Sequence, residues 1–354
     1  MAVTGEPGLH SAAPSQVPAW RVRKAVAADE AAVLELTRRL ADFDLPQGRS
    51  AQDVIGADHE QIRTTLRLPP PGHFLLVAES DPQGGHPEVL GCALVSIRRD
   101  FYTRIRHAHL EVLAVASVAE GRGIGRALLE EAEFRARASG FGFITLNVFT
   151  GNQRARGFYE ARDYRLETLA WCKPLSVAAA RPPVLPEETR VVSGCPEDEP
   201  ELLALAGRLA DFELPPWRTE REIARCKDSL IRAALRQEAG EAGILVARHA
   251  CGEVLGFTLV APRPDPFSGE QRAHLEVLVV AEDLEGTGVA DALLRSTERQ
   301  AAEAGYTVMS LGLFANNRRA RSFYTRHGYE PELLGYRKPL DPDVPAQGWM
   351  SPSG

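Results

Sequence analysis

The chain has 354 residues, 44% of them apolar and 25% charged, and a formal net charge of -7. These are globular proportions at twice the length of a common domain, so two compact cores are expected. No basic field is present to neutralise a phosphate backbone, so nucleic acid is not expected as a partner, and any anion has to be held by a local site.

Cys92, Cys172, Cys195, Cys226 and Cys251 are odd in number and widely spaced, with no CxxC pair or histidine pattern. That argues against a disulfide framework or a metal site and for reduced thiols in the cytoplasm. No stretch approaches the ~18 apolar residues of a membrane span, so no membrane association is expected. Residues 1–19 carry Gly, Ser, Pro and His without an apolar block and read as a disordered tail.

In chain order, a short strand at 21–26 leads into a helix that starts at Asp29, with Val33, Leu36 and Leu40 at helical spacing. A weaker second helix follows, then two β runs, 74–78 and 89–97, separated by a turn rich in Gly and Pro. A long strand at 108–116 meets a glycine loop and a helix from about 122 to 139. A strand at 143–148, a helix at 152–162 and a last strand after Tyr164 complete an α+β order with a central βαβ unit.

That order then repeats. AHLEVLAVA at 108–116 returns as AHLEVLVVA at 273–281, an offset of 165, and 14 of 23 positions are identical between 107–129 and 272–294. The same offset pairs Phe158-Tyr159 with Phe323-Tyr324 and Lys173-Pro174-Leu175 with Lys338-Pro339-Leu340, while RLADFDLP at 39–46 matches RLADFELP at 208–215 at an offset of 169. Between the copies, SVAAARPPVLPEE at 176–188 is proline-broken and reads as a linker. The expected organisation is two domains, 20–175 and 189–341, with a tail at 342–354.

In VASVAEGRGIGRALL (115–129) a β run passes through glycines straight into a helix. Gly121, Gly123 and Gly125 tolerate positive φ, so successive N–H groups and the helix N-terminus can face one anion. Backbone donors to a charged oxygen contribute about 1.5 to 3 kcal/mol each, enough for a few to hold a pyrophosphate in an acidic protein. A dinucleotide GxGxxG fingerprint and a GK[ST] phosphate loop both fail on spacing.

The whole constellation resembles the GCN5-related N-acetyltransferase (GNAT) family. The family motif is Arg or Gln, two residues, Gly, one residue, then Gly or Ala, after a strand ending in Val. Val115, Gly123 and Gly125 fall in register with it, as do Val280, Gly288 and Ala290. A second family element, Asn, Ala three on and Tyr seven on, appears as Asn152, Ala155, Tyr159 and as Asn317, Ala320, Tyr324. One departure is that the family's Arg or Gln is Glu120 and Glu285 here. A carboxylate beside a pyrophosphate is repulsive by about 1 kcal/mol at contact in water, so each is expected to point to solvent or to pair with an arginine.

The resemblance implies two tandem GNAT folds, each a mixed, mostly antiparallel sheet splayed at its two central parallel strands and flanked by helices. It implies acetyl-CoA as cofactor, with coenzyme A as product, direct attack by an amine in a ternary complex, and no metal. The cofactor would lie along Leu113 and Val115 and over Gly121, Arg122, Gly123, Ile124, Gly125 and Arg126, near Asn152, and in the second copy at Val280, Gly286, Gly288, Ala290 and Asn317.

Tyr159 and Tyr324 stand at the family's general-acid position, with Phe158 beside Tyr159 as the expected core residue. Period-2 alternation puts His109, Glu111, Leu113 and Val115 on one strand face. Glu111 and Glu276 are the candidate bases, with binding of the substrate ammonium or a structural role as the other readings of Glu111, and His109 and His274 are alternatives or partners, or satisfied core histidines.

The two loops differ in charge. Glu120, Arg122 and Arg126 sum to +1, and Glu285 with Asp291 to -2, so the N-terminal copy is the expected catalytic one. On the substrate side, Asp44 and Tyr102, with His109, are candidates for binding a cationic amine with an apolar body. The leading reading is acetylation of a small-molecule primary amine by a monomer of two pseudo-symmetric domains or a homodimer. The alternatives are acylation of a protein or peptide amine, or a degenerate acyl-CoA-binding sensor without turnover. Mycothiol synthases are also fused pairs of this fold, but no further motif here singles them out.

Overall fold

The computed structural model describes residues 20–46, 48–80, 87–177, 184–236 and 243–340; the expected tails and the middle of the linker lie outside these. The first copy runs β1 (Trp20–Lys24), α1 (Glu30–Thr37), α2 (Ala51–Arg67), β2 (Phe74–Ser80), β3 (Val89–Arg99), β4 (Arg106–Val115), α3 (Ile124–Ala138), β5 (Phe143–Phe149), α4 (Gln153–Glu160) and β6 (Arg165–Pro174). The second repeats it as β7 (Thr189–Ser193), α5 (Glu199–Ala206), α6 (Glu220–Leu235), β8 (Gly243–His249), β9 (Val254–Pro264), β10 (Gln271–Val280), α7 (Val289–Glu303), β11 (Val308–Phe314), α8 (Arg318–Arg326) and β12 (Glu330–Pro339).

Local chemistry sets the helix starts. The Asp29 carboxylate accepts the Val26 N–H (2.8 Å) and pairs with Arg23 (2.7 Å), which closes the turn before α1. Ser50 accepts the Asp53 N–H at the start of α2, and Thr219 with Glu222 forms a capping box at the equivalent start of α6.

The described strands form one sheet in the order β1-β2-β3-β4-β5-β12-β6-β11-β10-β9-β8-β7. Within it, β4 and β5 are parallel but pair only at Ala108–Ile144, His109–Thr145 and Leu110–Leu146, after which β4 runs on paired with β3 alone. The pair β10 and β11 behaves identically, at Ala273–Met309, His274–Ser310 and Leu275–Leu311. Each half is therefore splayed along its central parallel strands, with helices packed on the sheet faces.

The last strands are exchanged between the halves. β12 of the second copy lies antiparallel to β5 of the first, β6 of the first lies antiparallel to β11 of the second, and β6 and β12 pair with each other. Partly buried charges fasten the exchange symmetrically: Lys173 reaches Glu298 on α7 (2.7 Å) and Lys338 reaches Glu133 on α3 (2.7 Å). The repeated Lys-Pro-Leu thus anchors each exchanged strand to a helix of the other half. One core face runs through both halves, from Leu110 and Ile144 to Leu275 and Met309.

Simple alternation along β4 fails at one residue. Leu94 pairs with Val112 and Val95 with Leu110, so Glu111 is the extra residue of a β-bulge. Leu113 and Val115 consequently share the α3 face with Ala108 and Leu110, whereas Val112 and Ala114 pack under α1 and α2. His109 and Glu111 belong to that second face, not to the face of Leu113 and Val115 as alternation predicted. Glu276 is the extra residue of the matching bulge in β10.

Candidate active site

The first glycine loop is built as an anion cradle. Gly121 (φ 73°) and Gly123 (φ 83°) both occupy the left-handed region, and Gly123 starts α3 without any side-chain cap, so the first N–H groups of the helix stay available. At Gly125 an added methyl group would meet Val115 and Phe158 at ordinary contact distances of 3.4 and 3.7 Å, which accounts for Ala290 at the matching place. Above the loop lies a cleft of about 710 Å3 bounded by Leu113 and Val115 of β4, the loop, and Asn152, Phe158 and Tyr159 of α4. Arg126 lines this cleft and pairs with Glu130 (2.7 Å), while Arg122 is exposed and outside its lining.

Glu120 does not face an anion unaccompanied. Arg154 (2.7 Å) and Arg39 (2.9 Å) clasp its carboxylate, and these partners hold its pKa below the usual carboxylate range. Arg39 also donates to the Val115 carbonyl (2.6 Å). One carboxylate thus fixes two guanidinium groups on the cleft wall. Arg208, Glu285 and Arg319 repeat the arrangement in the second copy, with Arg208 donating to the Val280 carbonyl. Neither arginine was singled out from the sequence, since both are distant from Glu120 along the chain, although the 169 offset that pairs Arg39 with Arg208 was visible.

On α4, Asn152 is the N-cap, its side-chain oxygen accepting the Ala155 N–H at 3.0 Å; Asn317 does the same for Ala320 on α8. Tyr159 is the more buried aromatic and Phe158 is half-buried, and both line the cleft. Phe158 packs against the core as expected but also faces the cleft beside Tyr159, and its ring lies under the Arg162 guanidinium (3.8 Å). Burial raises the Tyr159 phenol, and likewise Tyr324, so each remains protonated at neutral pH.

Glu111 is bound on all sides that matter. Arg98 donates from Nε (2.9 Å) and Nη2 (2.6 Å), and the Ser96 hydroxyl also donates to it. Arg263 holds Glu276 through Nε (2.9 Å) and Nη2 (2.5 Å), both on one carboxylate oxygen. His109 lies against Thr145 (2.7 Å), and burial drives its pKa far down; His274 lies against Ser310 (2.9 Å) and is lowered to about 4 by burial.

The substrate-side candidates separate. Asp44 is exposed, its backbone packed on Gly151. Tyr102 crosses to the second half, stacks on Phe314 (5.1 Å, 19°) and lies under Arg218. Arg218 in turn makes a bidentate bond to Asp100 (2.8 and 2.6 Å) and reaches Glu167 (2.6 Å), and Arg49 bridges Asp265 (2.5 and 2.7 Å) and Glu332 on the other side. The loops before β4 and β10 therefore each serve the opposite half.

The second glycine loop keeps its shape, with Gly286 at φ 76° and Gly288 at φ 94°. Pro186 of the connection lies 4.0 Å from where a Gly288 side chain would begin. Asp291 on its helix is paired with Arg295 (2.7 Å) and His327 (2.6 Å). Among the described residues no helix is long and apolar enough to cross a membrane, and no group of three or more His, Cys, Asp or Glu is placed to hold a metal ion.

The model of the acetyltransferase (GNAT) family matches this chain twice, over residues 37–164 and 205–329. An uncharacterised N-acetyltransferase of Mycobacterium tuberculosis is 30% identical over 137 residues, 38% of this chain and 83% of that one. An uncharacterised protein of Bacillus subtilis is 42% identical over 59 residues, 17% of this chain and 37% of that one. Among solved structures, a GCN5-related N-acetyltransferase from Sphaerobacter thermophilus matches 92% of this chain and 97% of its own, with a TM-score of 0.54 at 20% identity. The chain belongs to the GNAT family and is an N-acetyltransferase that carries the family's fold twice.

Proposed function

We propose that the N-terminal half transfers acetyl from acetyl-CoA to a small primary amine, and that the C-terminal half is a structural partner. The observation that carries this reading is the 710 Å3 cleft, which joins the first glycine loop to Tyr159 without interruption. Its wall suits an acyl-CoA: free N–H groups at the start of α3 and the Arg39–Glu120–Arg154 clasp for the pyrophosphate, and the unpaired edge of β4 for the pantetheine arm.

The neutral amine attacks the thioester carbonyl carbon, the C–N bond forms, the C–S bond breaks, and the nitrogen gives its surplus proton to solvent. Tyr159, protonated and buried beside the cleft, gives its proton to the departing sulfur and recovers one from solvent. Tyr159→Phe is expected to lower kcat by about 10- to 100-fold while acetyl-CoA affinity holds, and Tyr324→Phe to leave kcat unchanged. The check is coenzyme A release with a thiol reagent; equal losses in the two variants would refute a single catalytic half.

A further inference from the structure

Asp58 on α2 lies close enough to Glu111, the bulged residue of β4, to feel its charge, and this helix position carries different chemistry in the two halves. Val54, Asp58, Ile62 and Thr65 fall on one stripe of α2, and all but Asp58 are buried there. Asp58 is half-buried, and no hydrogen-bond or ion-pair partner holds it among the described residues. At the 169 offset that relates Arg39 to Arg208, its counterpart is Lys227, between Ile223 and Ile231 on α6. Lys227 Nζ donates to the backbone carbonyl of Glu276 (2.7 Å), the bulged residue of β10, and Phe101 of the first half covers it with its ring (5.3 Å). A side chain at this helix position therefore reaches the central strand where the parallel pair parts, and in the second half it delivers a primary ammonium there.

We infer that in the N-terminal half this place binds the primary ammonium of the acceptor, held by Asp58 and the Glu111 backbone carbonyl, that Asp58 takes its proton, and that Lys227 fills the same place in the C-terminal half. The inference rests on the acetyl-CoA reading above and names its base. Asp58 takes one proton from R–NH3+ and returns it to solvent, the lone pair forms the C–N bond, sulfur leaves with the C–S pair and is protonated by Tyr159, and the second proton shed by the nitrogen restores the Tyr159 phenol by way of solvent.

Glu111 cannot serve as readily, because Arg98 and Ser96 occupy its carboxylate. The ionisable groups around Asp58 suit the task. Burial, then the charge of Glu111, lifts its carboxyl to about 7. Cys92 beneath it on β3 is pushed up to about 12 and stays neutral, and burial lowers His73, which also stays neutral. A base with a pKa near the working pH is the effective one.

The test uses the full chain with n-butylamine as probe, acetyl-CoA binding by calorimetry, butylammonium contact by saturation-transfer NMR, and coenzyme A release from pH 6 to 9. Asp58→Asn is expected to bind acetyl-CoA as wild type does, to lose the butylammonium signal, and to lose about 100-fold or more in kcat/KM together with the inflection near pH 7. Asp58→Glu is expected to restore part of the rate and the inflection. An Asp58→Asn enzyme with unchanged kcat/KM and pH profile overturns the inference, as does a wild type that binds acetyl-CoA but neither contacts nor acetylates butylamine. A wild type that does not bind acetyl-CoA overturns the acetyl-CoA reading beneath it.

Discussion

At the scale of single residues, placement and availability separate. Glu111 and His109 lie on the strand where sequence reasoning looked for a base but on its other face, and each is engaged, one by Arg98 and Ser96 and the other by Thr145. Asp58 escaped notice because one carboxylate in a weakly patterned helix reads as a surface residue. Its position four residues after Val54 and four before Ile62 was the signal that it faces inward.

Its burial has a consequence for stability. The folded protein holds the Asp58 proton up to about pH 7, whereas an unfolded chain releases it near pH ~3.9. Between those values the folded state binds the extra proton, so stability falls as pH rises through the window, and the loss is complete above pH 7. Asp58→Asn has no such loss. Relative to wild type, its stability is expected to improve between pH 4 and pH 8 by on the order of 3 kcal/mol, read from thermal melts at both. A constant difference across that range would place Asp58 in an ordinary aqueous setting.

At the scale of elements, the helices and strands of both copies were legible because their periodicity and caps are local. The partners of the last strands were not. β6 and β12 carry the same Lys-Pro-Leu ending, and nothing in either sequence distinguishes pairing within a half from pairing across halves. The bulge in β4 was equally hidden, since His-Leu-Glu-Val-Leu reads as plain alternation.

The cross-half arginines hold the exchanged arrangement. Arg218 is buried against Asp100 and Glu167, with Trp217 also donating to Glu167 (2.7 Å). Removing one partner of a buried cluster leaves its other charges uncompensated, so Arg218→Leu is expected to cost about 3 to 5 kcal/mol. Chemical denaturation measures this; a loss under about 1 kcal/mol would show that the interface does not depend on the cluster.

For the whole molecule, duplication and exchange together explain why the second half keeps family residues. Asn317 caps α8, Tyr324 packs edge-on to Tyr329 (5.4 Å), and Glu276 holds Arg263. These contacts tie the motif residues into the fold of the second half, which the first half requires because β12 completes its sheet. Retention of the motifs is thus compatible with a half in which Lys227 fills the acceptor place and Pro186 lies against the second loop.

The decisive measurement is the stoichiometry of acetyl-CoA binding to the full chain by calorimetry, repeated for Gly125→Trp and Ala290→Trp, which place matching bulk at the two loops. One site per chain, lost in Gly125→Trp and kept in Ala290→Trp, is the predicted result. Two sites, each removed by one variant, would contradict a structural second half, and a folded chain that binds none would contradict the acetyl-CoA assignment.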